Sequence, residues 1–527
     1  MTGYGRAVQT FENREITVEI RSVNNRYLDC SVKLPRVFGF AEDSVKAKVK
    51  EEISRGKVDV FISVNVTAGS DMKISLNRPV LEGYLSAMRT IAKDYEVKDD
   101  ISVSSLTRFS DIFVVEKQEE DEQQATQEIL SVVSQALSKF SAMRTLEGAA
   151  LEQMERYCTR YKDFLNRSKT ERETTQRVIE LAQAHGFAQY QRGMALRPGD
   201  KVYTCNRGKS VMLAVIGSEG MSRGAQIAAA HIDSPRLDLK PHPLYEDGGM
   251  AYFKTHYYGG IKKYQWTAIP LAMHGVVVKS DGTVIKVCIG EEAGDPQFTI
   301  TDILPHLGQD QATKPLGTAF TGEDLNILIG SRPVRDEEAK DAYKLNIMRL
   351  LNEKYGIIEA DLISAEIEFV PAFKAVDIGF DRSLVGTYGH DDRVCAYPAL
   401  EAILNCKNPV QTVVTVLTDK EETGSDGNTG LNSEYMRYFI ADLAQAEGEE
   451  PRHVLSKSTC ISADVTAAYD PHYASVYEAQ NSTYINGGLG IAKYTGAHGK
   501  GGTSDANAEF VAKIRRTFDD AGVLWQI

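Results

Sequence analysis

Residues 411–425 read QTVVTVLTDKEETGS, and this stretch decides the fold class. Its apolar run, Val413 to Leu417, is continuous and rich in β-branched residues. Such a run predicts a strand buried on both faces, as in the sheet of an α/β domain. Acidic residues follow at its carboxyl end, where ligands bind in open α/β sheets. The stretch therefore predicts a buried strand that leads into an active-site loop.

Two adjacent carboxylates, Glu421 and Glu422, stand in that loop. Neighbouring residues in extended backbone point in opposite directions, so we expect the two side chains to serve different tasks. One would bind a metal ion, and the other would act as a general base toward water. A solvated acidic turn is the alternative for an isolated Glu-Glu pair.

Three further segments place imidazole or carboxylate groups beside apolar strands or helices. In GAQIAAAHIDS, His231 ends a short apolar strand, and Asp233 can hold the imidazole in one tautomer and orientation. Asp391 in GHDDR precedes an apolar helical segment, and Asp464 in TCISADVTAAYDP follows a short strand. A single Asp in such a place is usually a cap or turn residue. Together, however, these groups suit a pair of zinc, cobalt or manganese ions.

Length and composition indicate an ordinary globular protein. The 527 residues suggest roughly three domains, with 42% apolar and 25% charged residues. A net charge of -13 argues against broad nucleic-acid affinity of the whole chain. We expect a cytoplasmic protein without membrane association, because no leader and no apolar run of roughly 18 residues is present. Seven scattered cysteines without a Cys-x-x-Cys pair favour reduced thiols.

The first 154 residues form a separate pattern of strands and helices. Alternating apolar residues predict strands near 16–20, 28–34 and 57–66, and helical patterns occupy 40–54, 78–97 and the chain from 122 onward. This order predicts a compact α+β domain.

The segments MTGYGRA, VNNRYLD and RGKVDVFISV of this region resemble the amino-terminal domain of the YicC family, which comprises endoribonucleases or RNase-associated proteins. The resemblance covers about residues 1–154 and implies RNA as a partner. Arg6, Arg21 and Arg26 are candidate RNA contacts, with surface ion pairing as the alternative. The Glu- and Arg-rich carboxyl-terminal region of that family does not follow here.

From about residue 155 a second pattern begins, with a charged helix predicted to run to His185-Gly186. The motifs AAHIDSPRLDLK, YYGGIKKYQW, GHDDR, DKEETGS and SADVTAAYDP resemble those of the aspartyl aminopeptidase family of metallopeptidases. This resemblance implies a zinc-exopeptidase-like mixed α/β sheet flanked by helices, formed by residues 155–239 and 376–527. An inserted β-rich dimerisation domain would span 240–375, and homo-oligomers are expected.

The same resemblance implies two divalent metal ions, with zinc best suited and cobalt or manganese possible substitutes. His231 and Asp464 would bind one ion, Glu422 would bind the other, and Asp391 would bridge the two.

Catalytic and substrate-binding roles also follow from the resemblance. Glu421 would be the general base, and Asp233 would support His231. Lys493 in GGLGIAKYTG would meet an acidic first residue of the peptide substrate, and His306 in ILPHL would lie near that substrate. A surface lysine and a capping or core histidine are the respective alternatives.

One feature of the family is not found in this sequence. The family closes its second metal site with a histidine in a Ser-Met-His-Ser type segment, whereas this sequence stops at DAGVLWQI. We therefore expect a truncated or fused chain with weak or no peptidase activity. The alternative functions are an RNA-binding adaptor whose peptidase half is a scaffold, and a glutamyl rather than aspartyl exopeptidase.

Overall fold

The structure is a computed structural model that describes residues 3–23, 25, 27–66, 72–117, 121–336, 338–495, 499 and 504–527. The chain divides into two compact units, Met1–Tyr157 and Cys158–Ile527. Each unit is described by itself below.

The first unit is an α+β domain. Its elements are β1 (Gly3–Thr10), β2 (Arg14–Val23), β3 (Leu28–Lys33), α1 (Glu42–Glu52), β4 (Gly56–Val66), β5 (Met72–Leu76), α2 (Arg78–Asp94), α3 (Val103–Leu106), β6 (Phe113–Lys117) and the part of α4 (Glu122–Asn166) up to Tyr157. Four strands form a sheet in the order β1-β2-β4-β3, and β5 pairs with β6. Arg26, one of the candidate RNA contacts, lies outside the described residues.

Alternation along the strands gives this sheet one apolar face. Ile16, Val18 and Ile20 of β2 are buried, and they pack in one cluster with the buried residues of α1 and α4. Tyr4 and Arg21, which pair across β1 and β2, lie on the opposite, exposed face. The period-2 pattern of the sequence therefore decides which face is buried.

The second unit contains the remaining elements. They are β7 (Ala188–Gln189), β8 (Lys201–Asn206), β9 (Ser210–Val215), β10 (Gln226–His231), β11 (Arg236–Asp247), β12 (Met250–Tyr258), β13 (Leu271–Val278), β14 (Val284–Ile289), β15 (Thr299–Ile300), β16 (Ile327–Gly330), β17 (Ala365–Pro371), β18 (Val376–Ile378), β19 (Leu384–Gly386), β20 (Val413–Thr418), β21 (Thr459–Ser462), β22 (Leu489–Gly490) and β23 (Trp525–Gln526). Its helices after α4 are α5 (Glu171–Ala184), α6 (Gln309–Thr313), α7 (Leu316–Ala319), α8 (Ala342–Tyr355), α9 (His390–Leu404), α10 (Tyr435–Ala446), α11 (Pro451–Lys457) and α12 (Ala508–Asp520).

The single helix predicted up to residue 185 is wrong, because α4 ends at Asn166 and α5 begins at Glu171. Thr170 accepts a hydrogen bond from the Glu173 backbone N–H, while the Glu173 carboxylate accepts from the Thr170 N–H. This capping box satisfies the free N–H groups of a new helix start. His185 and Gly186 do end α5, and Gly186 has a φ of +84°.

One part of the second unit is built on a six-stranded mixed sheet in the order β21-β10-β20-β9-β8-β7. Val414 and Val416 of β20 are buried against residues of α10. Thr415, which points to the other face, contacts the Ala399 carbonyl of α9. Helices therefore cover both faces of β20, which accounts for its continuous apolar sequence. The mixed α/β fold expected from the sequence is present.

A second sheet lies between β10 and α9 in the chain. It has seven antiparallel strands in the order β14-β13-β17-β11-β12-β16-β15. Leu237, Phe253, Met273 and Phe369 lie on its buried apolar face. Within the described part of the chain, no helix has the length and apolar character needed to cross a bilayer.

Candidate metal centre and active site

The site forms where three parallel strands of the six-stranded sheet end together. In β10, His231 pairs with Thr418 of β20, and Ala229 pairs with Ser462 of β21. Because parallel strands end at the same edge, the residues that follow β20 and β21 lie beside His231. These residues are Glu421 and Glu422 after β20, and Asp464 after β21. Asp391 joins them from the first turn of α9, which packs on β10 and β20.

Three carboxylate oxygens surround the Nε2 atom of His231. Asp391 Oδ1 is 3.0 Å away, Glu421 Oε2 is 3.7 Å away and Asp464 Oδ1 is 3.8 Å away. His231 itself is only 3% exposed, whereas the Asp391 and Asp464 side chains are each 52% exposed. One buried imidazole nitrogen therefore faces a group of carboxylates that solutes can reach.

The other ring nitrogen of His231 is held from behind. Nδ1 lies 3.0 Å from the Asp233 backbone carbonyl and 3.4 Å from Asp233 Oδ1. An N–H on Nδ1 donates to these acceptors and leaves Nε2 as the coordinating nitrogen. The backbone oxygen is the nearer partner, so Asp233 orients the ring through its main chain as well as its carboxylate.

The Asp233 carboxylate also holds the acidic loop. It accepts hydrogen bonds from the backbone N–H groups of Glu421 and Glu422, both at 3.2 Å, and from the Tyr258 hydroxyl at 2.7 Å. Asp233 is completely buried. The Asp233 carboxylate thus contacts the His231 imidazole, the acidic loop and Tyr258 at the end of β12 at the same time.

The predicted extended geometry of the two glutamates is wrong, because Glu421–Thr423 is one turn of 3₁₀-helix. The turn begins after Lys420, whose φ is +76°, and Asp233 binds the two N–H groups at its start. Glu421 belongs to a group with His231 and Asp464 whose potential ligand atoms all lie within 4.8 Å of one another.

Crowded negative charge dominates the electrostatics of the site. Burial by itself lowers the pKa of His231, but hydrogen bonds to Asp233, Asp391 and Asp464 raise it to about 12. Burial, followed by repulsion from Asp391, raises the pKa of Glu422 to about 7. For His231 the carboxylates outweigh burial, and for Glu422 the repulsion from Asp391 adds to burial. In both cases the neighbouring carboxylates favour the more positively charged form.

Glu422 provides a further observation on what the site can hold. Its Oε1 atom is buried and has no hydrogen-bond partner among the described residues. Gly259, at a φ of +77°, packs against the same side chain, and a Cβ there would lie 2.9 Å from Glu422 Oε2. A buried carboxylate oxygen without a donor is costly unless a cation binds it.

The residues present therefore fit a divalent metal ion. The set combines an imidazole nitrogen held in a coordinating tautomer, carboxylate oxygens around that nitrogen and one buried oxygen without a donor. Imidazole and carboxylate are established zinc ligands, and a positive ion would offset the clustered negative charge.

Two residues that support the site were missed by the sequence analysis. Tyr258 donates to Asp233, although it lies within the YYGG motif already singled out. Arg393, only 1% exposed, donates to Ser234 Oγ at 2.8 Å, and Ser234 in turn donates to the Asp391 carbonyl at 2.7 Å. The sequence feature that could have indicated Arg393 is its position two residues after Asp391 in the GHDDR motif.

Lys493 and His306 are not part of the cluster. Lys493 is exposed in the loop after β22, and His306 is exposed in the loop between β15 and α6. Among the described residues, no hydrogen bond or ion pair joins either side chain to the carboxylates around His231. Their substrate-binding roles stay predictions.

Residues 164–527 match the family model described as aminopeptidase I zinc metalloprotease (M18). The chain is 50% identical over 375 residues to "Probable M18 family aminopeptidase 1" of Clostridium acetobutylicum, a match that covers 70% of this chain and 81% of that relative. The crystal structure of an M18 family aminopeptidase from Thermotoga maritima has a TM-score of 0.68 and 44% identity, over 71% of this chain and 83% of that one.

The first unit is similar to a different protein. Residues 1–153 match the model of the endoribonuclease YicC-like amino-terminal region. "Probable endoribonuclease YicC" of Clostridioides difficile is 33% identical over 151 residues, which are 29% of this chain and 52% of that relative.

Proposed function

The chain belongs to the aminopeptidase I zinc metalloprotease (M18) family, and from this premise we propose that the cluster around His231 removes a preferably acidic first residue from peptides. That it is a metal-dependent aminopeptidase follows from the family. The acidic preference, two metal ions and the individual residue roles are the proposal. The observation that carries it is the ring of three carboxylate oxygens within 3.0–3.8 Å of His231 Nε2.

We propose the metal ligands that the family resemblance implies, and their closeness to the imidazole supports them. His231 and Asp464 would hold one ion, Glu422 would hold the other, and Asp391 would lie between them. Asp391 is close to His231 Nε2, and after burial it is the strongest influence on the pKa of Glu422. When bound, the ions polarise the scissile carbonyl and increase the acidity of the attacking water.

Glu421 is the proposed general base. Its side chain is 46% exposed and its Oε2 faces the His231 cluster, so it can reach both water and substrate. Its carboxylate would take the proton of the attacking water and deliver it to the leaving amine. Asp233 holds the Glu421 backbone in place through the hydrogen bond to its N–H. The backbone of Glu421 is therefore held in place while its carboxylate would transfer the proton.

The test compares Glu421→Gln with Glu434→Gln, a control at an exposed glutamate before α10. Peptides beginning with Asp are hydrolysed in the presence of zinc or cobalt, and bound metal is measured in parallel. We expect Glu421→Gln to keep its metal and to lose about 10²- to 10⁴-fold in kcat, the usual contribution of a general base. Turnover by Glu421→Gln equal to that of Glu434→Gln would exclude the assigned role.

Preference for an acidic first residue is tested by a charge change at Lys493. We expect Lys493→Met to lower kcat/KM for peptides beginning with Asp and to leave those beginning with Ala unchanged. Lys513→Met, an exposed change on α12, is the matched control. Equal effects of Lys493→Met on both peptides would show that Lys493 does not read the acidic side chain. Peptides beginning with Glu in the same series test the glutamyl alternative.

Two expectations from the sequence remain predictions of the same proposal. We expect homo-oligomers, which the sedimentation coefficient of the purified chain would reveal. We expect a cytoplasmic location, which fractionation of cells would test.

A second candidate function is RNA binding by the first unit, favoured by the exposed sheet face. Lys33 Nζ lies 4.9 Å from the centre of the Phe61 ring, and Arg21 lies 5.9 Å from it. Cationic groups beside an exposed aromatic ring on a sheet suit single-stranded RNA. Arg6 is also exposed on this face, whereas Arg21 forms an exposed ion pair with Glu19 at 2.6 Å.

The RNA hypothesis is tested with the full chain. Binding of a single-stranded RNA is followed by fluorescence anisotropy at several salt concentrations. We expect affinity to fall with salt, and Lys33→Gln combined with Phe61→Ala to weaken it, because both phosphate contact and stacking are lost. Lys48→Gln, on helix α1, is the control. Binding unaffected by the Lys33 and Phe61 changes would remove this face as the RNA site.

A further inference from the structure

A second cluster of metal-ligating side chains lies on the seven-stranded sheet. His274 of β13 and Cys288 of β14 are directly opposite each other in the antiparallel ladder, so their side chains share one face. Glu173 of α5 lies against the same imidazole. These three residues share no member with the cluster around His231.

The three possible ligand atoms converge on one point. His274 Nδ1 lies 2.7 Å from Glu173 Oε1 and 3.8 Å from Cys288 Sγ, and the three atoms all lie within 4.8 Å of one another. The other oxygen of Glu173 accepts the N–H groups of Lys169 and Thr170 in the capping box. That engagement fixes the Glu173 carboxylate with Oε1 directed at the imidazole.

The opposite edge of the imidazole is held by a carboxylate. His274 Nε2 lies 3.1 Å from Glu291 Oε1, and His274 is only 2% exposed. Glu291 is in turn held by Lys169 and Lys374, each at 2.7 Å. A histidine that donates one N–H to a carboxylate presents its other nitrogen to a metal, which is the arrangement behind most metal-ligating histidines.

The charged groups of the Glu173, His274 and Cys288 cluster, and its opening to solvent, also suit a bound metal ion. A divalent ion would bind the neutral imidazole of His274 and the thiolate of Cys288, so protons would leave the cluster as the ion binds. Glu291 stays paired with Lys169 and Lys374, while the charge of Glu173 would face the ion directly. Cys288 is exposed, which gives the ion a path to the buried imidazole.

We propose that Glu173, His274 and Cys288 bind a divalent transition-metal ion, with zinc the best match to one carboxylate, one imidazole and one thiolate. Water completes the coordination on the exposed side. The ion links the start of α5, which packs on the six-stranded sheet, to the β13–β14 hairpin of the seven-stranded sheet. This site is structural and does not depend on the proposed peptidase mechanism.

The test uses cobalt as a spectroscopic probe, because a cysteine thiolate bound to Co²⁺ produces a near-ultraviolet charge-transfer band. The centre proposed around His231 contains no sulfur ligand, so the band reports on Cys288. Cobalt alone is added to the reduced, metal-free full chain. We expect the band in wild type and its loss in Cys288→Ser, together with one fewer bound ion per chain. Cys288→Ser changes an exposed side chain and is expected to fold.

Two controls make the result decisive. Cys395→Ser removes a thiol that interacts electrostatically with Asp391 and Asp464 of the His231 cluster, and is expected to keep the band. Glu291→Gln is expected to keep the band but to weaken cobalt affinity about 10- to 100-fold, the usual effect of losing a carboxylate behind a metal-bound histidine. A wild-type chain without the band, or a band that survives Cys288→Ser, would overturn the proposal.

Zinc protection gives a second readout that is independent of the cobalt spectrum. Alkylation of each cysteine by iodoacetamide is measured by mass spectrometry with and without added zinc. We expect zinc to slow the alkylation of Cys288 and to leave that of Cys406, at the end of α9, unchanged. Equal rates at Cys288 with and without zinc would also overturn the proposal.

Discussion

The hydroxyl group of Tyr258 provides a focused test of how the site is held together. Tyr258 donates a 2.7 Å hydrogen bond to the buried Asp233 carboxylate, which also accepts the N–H groups of Glu421 and Glu422. Its ring lies 3.9 Å from the Arg236 guanidinium. The change Tyr258→Phe removes the hydroxyl and keeps the ring contact, so its effect reports on the hydrogen bond alone.

The expected size of the effect follows from the charge and burial of Asp233. A hydrogen bond to a charged group contributes about 1.5–3 kcal/mol. If this loss is expressed fully in the transition state, kcat/KM falls by about 10- to 150-fold. Loss of a group that supports a metal-bound histidine gives a similar range, about 10- to 100-fold in metal affinity or activity. The two estimates rest on different measurements and agree.

The assay measures kcat/KM on a peptide beginning with Asp, together with zinc affinity by competition with a chelator. Tyr257→Phe is the matched control, because the neighbouring Tyr257 stacks on His256 and does not contribute to the four contacts of the Asp233 carboxylate. We expect the control to behave like wild type. Equal kcat/KM and equal zinc affinity for Tyr258→Phe and Tyr257→Phe would refute the idea that Asp233 must be held by this bond.

Three further predictions concern stability. Arg393→Lys should lower the free energy of unfolding by about 1–3 kcal/mol for each buried carbonyl, of Lys169 or Ile232, that is left without a donor. The control Arg437→Lys, at an exposed position, should change the free energy of unfolding little. Denaturant unfolding of the two variants measures the difference. Burial raises the pKa of Glu366, but interactions led by the hydrogen bond from Arg172 outweigh this effect, so that the pKa lies below its usual 4.5. The ionised Glu366 therefore stabilises the fold above pH 4.5, and this stabilisation is lost as the pH falls below that value. Glu366→Gln should weaken this dependence of the unfolding free energy on pH, and an unchanged dependence would contradict the prediction. Gly5→Ala should lower the melting temperature of the first unit, because a Cβ would lie 2.2 Å from a backbone oxygen. A Cβ at Gly83, inside helix α2, meets nothing within 4 Å, so the control Gly83→Ala should leave the melting temperature unchanged or raise it slightly.

Local patterns in the sequence predicted most individual elements correctly. The alternation of β2 and the unbroken apolar run of β20 indicate one buried face and two buried faces respectively, and the strands have those environments. Besides the extended backbone predicted at Glu421 and Glu422, the local prediction that failed was the continuous helix up to residue 185. Its local signal was present, because Thr170 and Glu173 have the spacing of a capping box. The charged, helix-favouring residues on both sides concealed that break.

The chemical identity of the site residues came from the sequence alone. His231, Asp391, Glu421, Glu422 and Asp464 each stand next to an apolar strand or helix, and the structure places all of them at one edge of the sheet. Their order along the chain could not show how they are oriented. The 3₁₀ turn at Glu421, for example, depends on N–H groups bound by Asp233, which is 188 residues away in the chain.

Sequence by itself determined the strands, the imidazole and carboxylate groups of the candidate site and the family resemblance, because these depend on residue type and on spacing over a few positions. Only the tertiary structure decided which groups meet. The strand order β21-β10-β20 brings carboxylates to His231. The pairing of β13 with β14 places Cys288 opposite His274, and tertiary packing brings Glu173 to the same imidazole from 101 residues away. Such contacts depend on long-range strand pairing and packing, which local periodicity does not encode.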